Sequence, residues 1–393
     1  MADGLTGRES LEKALASAHE SGLRHVHMLA WRDLDDPEAG GSELHAHRIA
    51  SLWSEGGIDV TLRTSAVPGQ PVHVRRGGYR VVRRAGRYSV FPRSVANGLL
   101  GRIGATDGLV EVWNGMPFFS PLWARGAHVV FVHHVHAEMW NMVLPPSLAR
   151  LGRFVEGRMA PPIYRRSHVV TLSESSRQEI LDAFRLPPAN VRVVPPGVDW
   201  KFSPGGERSS DPLIVAVGRL VPVKRFDRLL GAVAKIAARH PRLQVVVVGE
   251  GYERPALERL RRDLGLDRVV RFPGRSSDSE LIALYRRAWF VVSTSQREGW
   301  GMTLTEAAAC GTPAVATDIA GHRDAVAHRS SGLLVADMSD LPDALETLLG
   351  DPDLRMRLSR GAVEHAAGFT WEATAAGALS VLVDQVNLSR RRA

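Results

Sequence analysis

The sequence predicts an α/β protein of two tandem domains, each built on a parallel sheet covered by helices on both faces. Three observations predict it. The chain has 393 residues, enough for two full cores. Short, wholly apolar runs recur with helical patterns between them, the mark of strands buried on both faces. The alternation breaks once, at PPGVDWKFSPGGERSSDP (195–212), and then restarts.

In the first half the strands are HVHMLA (25–30), DVTLRT (59–64), LVEVW (109–113), HVVFVH (128–133), HVVTL (168–172) and VRVV (191–194). Between several of them lie amphipathic helices such as SELHAHRIASLWSEG (42–56) and SSRQEILDAF (175–184). In the second half LIVAVG (213–218), LQVVVVG (243–249), RVVRF (268–272), WFVVST (289–294), PAVAT (313–317) and GLLVA (332–336) are the strands, with RFDRLLGAVAKIAARH (225–240) a representative helix. The last segment, WEATAAGALSVLVDQVNL (371–388), is amphipathic, has no strand after it, and is expected to pack across the domain junction. The expected divisions are a first domain over 1–195, a linker over 196–211, a second domain over 212–370, and a crossover helix with a basic tail over 371–393. Ligands of such sheets sit beyond the carboxyl ends of the strands, so a cleft between the two domains is the expected site.

Composition narrows the function. Cys310 is the sole cysteine, so an internal disulfide and a four-thiolate zinc site are excluded and a reducing cytoplasm is expected. The start, MADGLTGRESLEKALASAHESG, lacks the basic-then-apolar order of a signal peptide, and no later run approaches the ~20 apolar residues of a membrane span. The net charge of +8 is uneven: VRRGGYRVVRRAGRYSVFPR (74–93) and the tail SRRRA are nearly free of acids. That segment is either a solvated basic face or an attractor for an anionic surface, meaning phospholipid headgroups at the inner face of a membrane or a phosphorylated substrate. Nucleic acid is not an expected partner, because no helix-turn-helix, finger or aromatic RNA-binding motif accompanies the charge.

Every motif with chemical promise falls at a strand-end loop. GGSE (40–43) opens a helix with glycines that let backbone amides approach a phosphate. GRLVPVKRFD (218–227) places Arg219 and Lys224 five residues apart, where two cations can grip one diphosphate or simply sit on the surface. VGEGYER (248–254) and FPGRSSDSEL (272–281) suit backbone contacts to a base or ribose, and suit plain loops equally well. EGWGMTLTEAAACGTPAVAT (298–317) carries Glu298 before a glycine-bearing turn and Glu306 one turn inside a helix expected to start near Gly301 or Met302. Amides from Trp300 to Leu304 would face an anion, while carboxylates would repel one. Carboxylates do accept bonds from vicinal hydroxyls, at ~1.5–3 kcal/mol for a charge-assisted bond. A ligand with a diphosphate in its middle and polyols at both ends satisfies both demands. HVVFVHHVHAEMW (128–140) ends a strand with His133, His134 and His136; no fourth ligand is evident, so no metal is expected, and His133 is the candidate to face substrate. The aromatic and apolar residues of EMWNMVLPPSLARLGRFVEGRM (138–159) fit either core or a helix facing acceptor or lipid.

The ordered set GGSE, VVFVHH, VVPPGVD, VAVGRLVPVKRFD, VVGEGYE, FPGR and EGWGMTLTEAAACGTPAVAT resembles glycosyltransferase family 4, retaining enzymes of the GT-B fold with an E-x7-E signature. The likeness spans most of the chain. It implies two Rossmann-like, doubly wound domains facing across a cleft, with the C-terminal helix crossing back to the N-terminal domain. It implies hexosyl transfer from a nucleotide-diphosphate sugar to a hydroxyl of a glycan, glycolipid or small molecule, with no metal or other cofactor. By the resemblance Glu298 would meet the donor sugar near the reacting face, Arg219 and Lys224 would stabilise the leaving diphosphate, and His133 (or His134 in its stead) would stand at the sugar or beside the acceptor. Gly41, Gly251, Arg275, Gly299, Trp300, Gly301, Met302, Thr303 and Leu304 would bind the donor, and Glu306 its ribose. The departing phosphate would take the acceptor's proton, since no carboxylate nucleophile is evident, and closure about the linker would exclude water. Alternatives from the same fold and outside it are a sugar-nucleotide epimerase and a non-catalytic sugar-nucleotide binder.

Overall fold

The computed structural model describes residues 2–104, 106–137 and 139–392. Up to Gly197 the chain forms α1 (Ala2–Glu20), β1 (His25–Leu29), α2 (Gly41–Glu55), β2 (Asp59–Thr64), β3 (His73–Arg76), β4 (Tyr79–Arg83), α3 (Val90–Leu99), β5 (Gly108–Trp113), β6 (Ala127–Val132), α4 (Met139–Val143), α5 (Pro146–Phe154), α6 (Ala160–Tyr164), β7 (His168–Thr171), α7 (Glu174–Phe184) and β8 (Val191–Val193). It continues through β9 (Leu213–Val217), α8 (Phe226–Ile236), β10 (Gln244–Val248), α9 (Arg254–Asp263), β11 (Val270–Gly274), α10 (Asp278–Arg287), β12 (Phe290–Ser293), α11 (Met302–Ala309), β13 (Ala314–Thr317), α12 (His322–Ala325), β14 (Gly332–Val335), α13 (Leu341–Gly350), α14 (Pro352–Ala367) and α15 (Trp371–Arg392). Two compact units result: residues 1–197 with 370–393, and residues 198–369.

Unit 1 holds an eight-stranded sheet in the order β3-β4-β2-β1-β5-β6-β7-β8, parallel except for β3 against β4. Its central strands are mostly buried, and β5 carries the fully buried Glu111 among apolar residues. The final helix belongs to this unit, as expected: Ala375, Leu379, Leu382 and Val386 of α15 share a core with Leu11, Ala14 and Ala18 of α1 and with Val129 and Phe131 of β6. The Trp53 indole ties α2 to it, donating to the Ala375 carbonyl at 3.0 Å.

The basic stretch 74–93 is a solvated face only in part. Its first half is a hairpin closed at Gly77–Gly78, and Arg76, Arg80, Arg83 and Arg87 of the stretch pair with acids. Arg83 is buried and paired with Asp33 and Asp35, Arg76 reaches Asp33 at 2.6 Å, Arg80 reaches Asp59 at 2.9 Å, and Arg87 is paired with Glu38. Burial alone would raise the Asp33 carboxyl; His47 and Arg76 outweigh it and hold the group well below the usual range. Acids from 33–38 and 59 thus match part of the charge of 74–93, while Arg75, Arg84 and Arg93 stay exposed.

Unit 2 holds a six-stranded parallel sheet in the order β11-β10-β9-β12-β13-β14. Its core lies between that sheet and helices α8, α9 and α13, with a second cluster around Val215, Leu304 and Ala307. The segment read as a linker lies mostly on this unit. Phe202 is buried in the second cluster, the Val198 amide donates to the Phe369 carbonyl at 3.0 Å, and the Arg208 guanidinium donates to Thr312 Oγ1 at 2.6 Å.

Candidate active site

In unit 2 strands β9, β10 and β11 run outward on one side and β12, β13 and β14 on the other. The switch point therefore falls between β9 and β12, where the loops after the two strands splay apart and leave room for a ligand. The loop after β9 carries Arg219 and Lys224; the loop after β12 carries Glu298. They are stitched together close to the sheet. Thr294 Oγ1 donates to the carbonyls of Lys224 at 3.0 Å and Arg225 at 2.9 Å, and the Gln296 amide donates to the Val223 carbonyl at 2.8 Å.

That stitching brings the Lys224 ammonium onto the Glu298 carboxylate, and the Ser295 hydroxyl donates to the same oxygen at 3.0 Å. Burial would push the Glu298 carboxyl up. Lys224, His322 and the two hydrogen bonds outweigh it and hold it at about 2. His322 begins α12 fully buried, with Nδ1 placed 3.0 Å from the Thr317 carbonyl and Nε2 placed 3.3 Å from Ser293 Oγ. Burial lowers its imidazole to about 4, so it stays neutral at physiological pH. Neither Ser295 nor His322 stands out in the sequence except by position, each just after a strand at the carboxyl edge.

The helix after Glu298 starts where the sequence predicts. Gly301, at φ 109°, turns the chain into α11. Gly321 (φ 84°) permits the turn to lie this close: a Cβ there would fall 2.6 Å from the Trp300 nitrogen and 2.7 Å from the Glu298 carbonyl oxygen. The amides of Met302 and Thr303 lie in the first turn of α11, where no intrahelical carbonyl is available and the helix dipole favours an anion. Leu304 departs from expectation, because its amide donates to the Gly301 carbonyl at 2.9 Å and is already committed. Trp300 anchors the turn from inside, with Nε1 donating to Thr305 Oγ1 at 3.3 Å and its ring edge-on to Phe369 at 4.9 Å. Glu306 sits one turn into α11, receiving the Tyr285 hydroxyl at 3.4 Å. Burial pushes its carboxyl up to about 8. Gly251 lies just beyond β10, where the Leu220 amide donates to the Glu250 carbonyl at 2.9 Å, and Arg275 is exposed directly after β11. Gly299 lies in the turn between Glu298 and Trp300.

Unit 1 carries its own polar cluster. Gly41 opens α2, whose start is capped from within: Glu43 accepts from the Gly40 amide at 2.8 Å and from Arg32 Nε at 3.0 Å. His133, just past β6, is buried against α2 with Nε2 placed 3.2 Å from His45 Nδ1, the rings edge-to-face at 4.9 Å. Burial, with His134 adding to it, lowers His133 to about 3, and burial also lowers His45 well below its ordinary value. His133 Nδ1 and His45 Nε2 have no partner among the described residues. His134 turns elsewhere and stacks on His136 at 4.7 Å. His45 could not be picked from the sequence, because only the fold sets it beside His133.

Residues 199–365 match the family of glycosyl transferases group 1, and residues 39–202 match Glycosyltransferase Family 4. A D-inositol 3-phosphate glycosyltransferase of Frankia alni is 33% identical over 87% of this chain and 94% of the relative. The chain belongs to glycosyltransferase family 4. A Corynebacterium jeikeium relative with the same name is 37% identical over 86% of this chain and 90% of its own. Among solved structures, sucrose-phosphate synthase from Thermosynechococcus elongatus superposes with a TM-score of 0.76 at 20% identity, covering 94% of this chain and 99% of its own. HepE of Anabaena, solved in complex with UDP-glucose, superposes with a TM-score of 0.68 at 17% identity, covering 94% of this chain and 100% of its own. The fold is therefore GT-B and the chain is a retaining glycosyltransferase that uses a nucleotide-sugar donor. Among the described residues no group of His, Cys, Asp and Glu is arranged to hold a metal ion, and no helix is long and apolar enough to cross a membrane.

Proposed function

We propose that unit 2 binds the diphosphate of the donor between the loops after β9 and β12, and that the acceptor is a small phosphorylated polyol. One observation carries the donor half: a lysine and an ionised, partly buried glutamate share the switch point with the open start of α11. Lys224 and Arg219 stabilise the leaving diphosphate together with the amides of Met302 and Thr303. Glu298 stays anionic and accepts from hydroxyls of the transferred sugar. When donor enters, the Lys224 ammonium is shared between that carboxylate and phosphate oxygens, so its charge is already in place as the anomeric bond breaks. The bond to the diphosphate is lost, a bond to the acceptor oxygen forms on the same face, and the departing phosphate oxygen takes the acceptor's proton.

Glu306 binds the ribose, Arg275 and Gly251 lie by the base, and Gly41 with the His133–His45 pair serves sugar and acceptor from unit 1. The acceptor half rests on the names of the relatives, which makes D-inositol 3-phosphate the first compound to try. A cytoplasmic location goes with this reading, supported by the buried thiol of Cys310 with no second cysteine to pair with. Thermal unfolding across a panel of UDP-, GDP- and ADP-sugars should single out one donor; at 100 times its dissociation constant it adds about 2.7 kcal/mol. With that donor, labelled hexose should pass to D-inositol 3-phosphate with the anomeric configuration kept. If no nucleotide sugar raises the unfolding temperature, the donor assignment fails; if donor binds but only water or other polyols accept, the acceptor assignment fails.

A further inference from the structure

Helix α5 is packed the reverse way from an ordinary surface helix. Its inward positions are small, with Ala149 and Gly152 buried, and a Cβ on Gly152 would fall 2.6 Å from the Trp140 ring, so the helix backbone lies directly on the indole. Its large apolar side chains face out. Leu148, Leu151 and Phe154, three residues apart in succession, are 50%, 54% and 57% exposed, and Met159 in the π-helical turn that follows is 40% exposed. A contiguous apolar face of this kind on a folded domain marks an interaction surface.

Its charges are of one sign. From 139 to 166 the cations are Arg150, Arg153, Arg158, Arg165 and Arg166, and the lone acid is Glu156. Glu156 is buried and occupied, its carboxylate accepting from the amides of His136 at 2.9 Å and Ala137 at 3.2 Å and from Trp140 Nε1 at 2.8 Å. The surface of the segment therefore offers arginine and large apolar groups with no anion between them. In the hairpin β3–β4, by contrast, Arg76, Arg80 and Arg83 each pair with an acid.

We propose that α5 and the turn after it dock on the anionic surface of a phospholipid bilayer. Leu148, Leu151, Phe154 and Met159 enter the headgroup–acyl boundary, and Arg150, Arg153 and Arg158 meet lipid phosphates, the arrangement of an interfacial amphipathic helix. Charge complementarity selects this occupant over a second copy of the chain, because a two-fold contact sets the same patch against itself and would press arginine on arginine. The docking is independent of the donor assignment above.

Flotation of the full chain with vesicles of equal phosphatidylcholine and phosphatidylglycerol, and with phosphatidylcholine alone, tests it. Binding should require phosphatidylglycerol and weaken as salt rises. The pair L151E/F154E should abolish it, and R150Q/R158Q should lower partitioning on the order of 25-fold, about fivefold per arginine. R80Q, in the paired hairpin, should leave it unchanged. All variants should show the wild-type thermal shift with donor, which separates loss of docking from loss of folding or of the donor site. Failure of the wild type to float with anionic vesicles overturns the proposal, as does undiminished flotation of L151E/F154E. A wild-type dimer that L151E/F154E dissociates, with neither protein floating, overturns it in favour of self-association.

Discussion

Glu298 and Glu306 bracket the start of α11, eight residues apart, and the fold treats them in opposite ways. Glu298 stands in the turn, where Lys224, Ser295 and His322 converge on it, and its carboxyl is held at about 2. Glu306 stands on the helix, where the Tyr285 phenol donates to it and burial drives the carboxyl up to about 8. One residue type thus serves as a permanent anion on one side of the turn and as a neutral acid at pH 7 on the other. The difference is set by neighbours from other strand ends. An anion beside the reacting sugar can accept hydroxyl bonds and balance positive charge growing on the ring. A protonated carboxyl can both donate to and accept from a pair of ribose hydroxyls without bringing a second negative charge near the diphosphate.

The largest effect expected from disturbing this contrast is at Glu298. Glu298→Gln keeps the shape and removes the charge, so kcat should fall by about 10²–10³ or more, the range seen when one preorganised electrostatic contact to a transition state is lost. Donor affinity should change far less, because the substitution frees Lys224 for the phosphates. Single-turnover transfer together with titration of donor checks both. Near-normal turnover would mean the anion is not what this position contributes.

Lys224→Met comes second, and it acts on the contrast itself. Without the ammonium, burial becomes the dominant influence on Glu298, and its carboxyl should rise toward the behaviour of Glu306. The sign follows from proton counting. In the wild type the folded state holds Glu298 ionised below its unfolded value of 4.5, so that stabilisation is complete above pH 4.5 and is lost as pH falls toward about 2. In the variant the carboxyl is raised, so stability should instead decline as pH rises above 4.5. Turnover should drop more than donor affinity, the pattern of a contact made chiefly in the transition state. Glu298 contributes no slope to the wild type between pH 5 and pH 8, so urea unfolding at those two values should show the variant losing more stability than the wild type across the interval; an equal loss would detach Lys224 from the control of Glu298.

Which parts of this were open to the sequence follows the same logic of local against distant cause. The buried strands could be read because a strand covered on both faces is apolar throughout, as in residues 245–248 and Leu213–Val217. The start of α11 could be read from the glycine before Met302. The hairpin β3–β4 was hidden because its arginines looked solvent-bound, and only the acids at Asp33, Asp35 and Asp59 show why so many cations alternate there. The apolar spacing of Leu11, Ala14 and Ala18 in α1 makes sense only once α15 lies against it. Spacing alone also does not reveal Ser295, Tyr285 or His322 as neighbours of the two acids, since strand order sets β9 against β12 and β12 against β13. Lys224 could be picked out by its own loop, but its pairing with Glu298 across 74 residues could not.

The smallest effect belongs to Glu306→Gln, and it gives the finest reading of the comparison. The amide mimics the neutral acid, so at pH 6 the variant should bind donor within a few-fold of the wild type and turn it over at nearly the same kcat. The two should part as pH rises. In the empty wild type the folded state keeps a proton on Glu306 up to about 8 while the unfolded chain loses it near 4.5, so folding stability drains away steadily across that interval. Glutamine has no proton to lose, and the thermal midpoint of the variant should therefore be flatter from pH 5 to pH 8 and exceed that of the wild type at the upper end. Donor changes the account, because ribose hydroxyls can satisfy the ionised carboxylate. Added donor should then restore the wild type at pH 8 by more than it helps the variant, and measuring the midpoint with and without donor at both pH values isolates that coupling. Parallel curves for the two proteins would place Glu306 in a more watery setting than its contact with Tyr285 implies, and would leave the two glutamates alike.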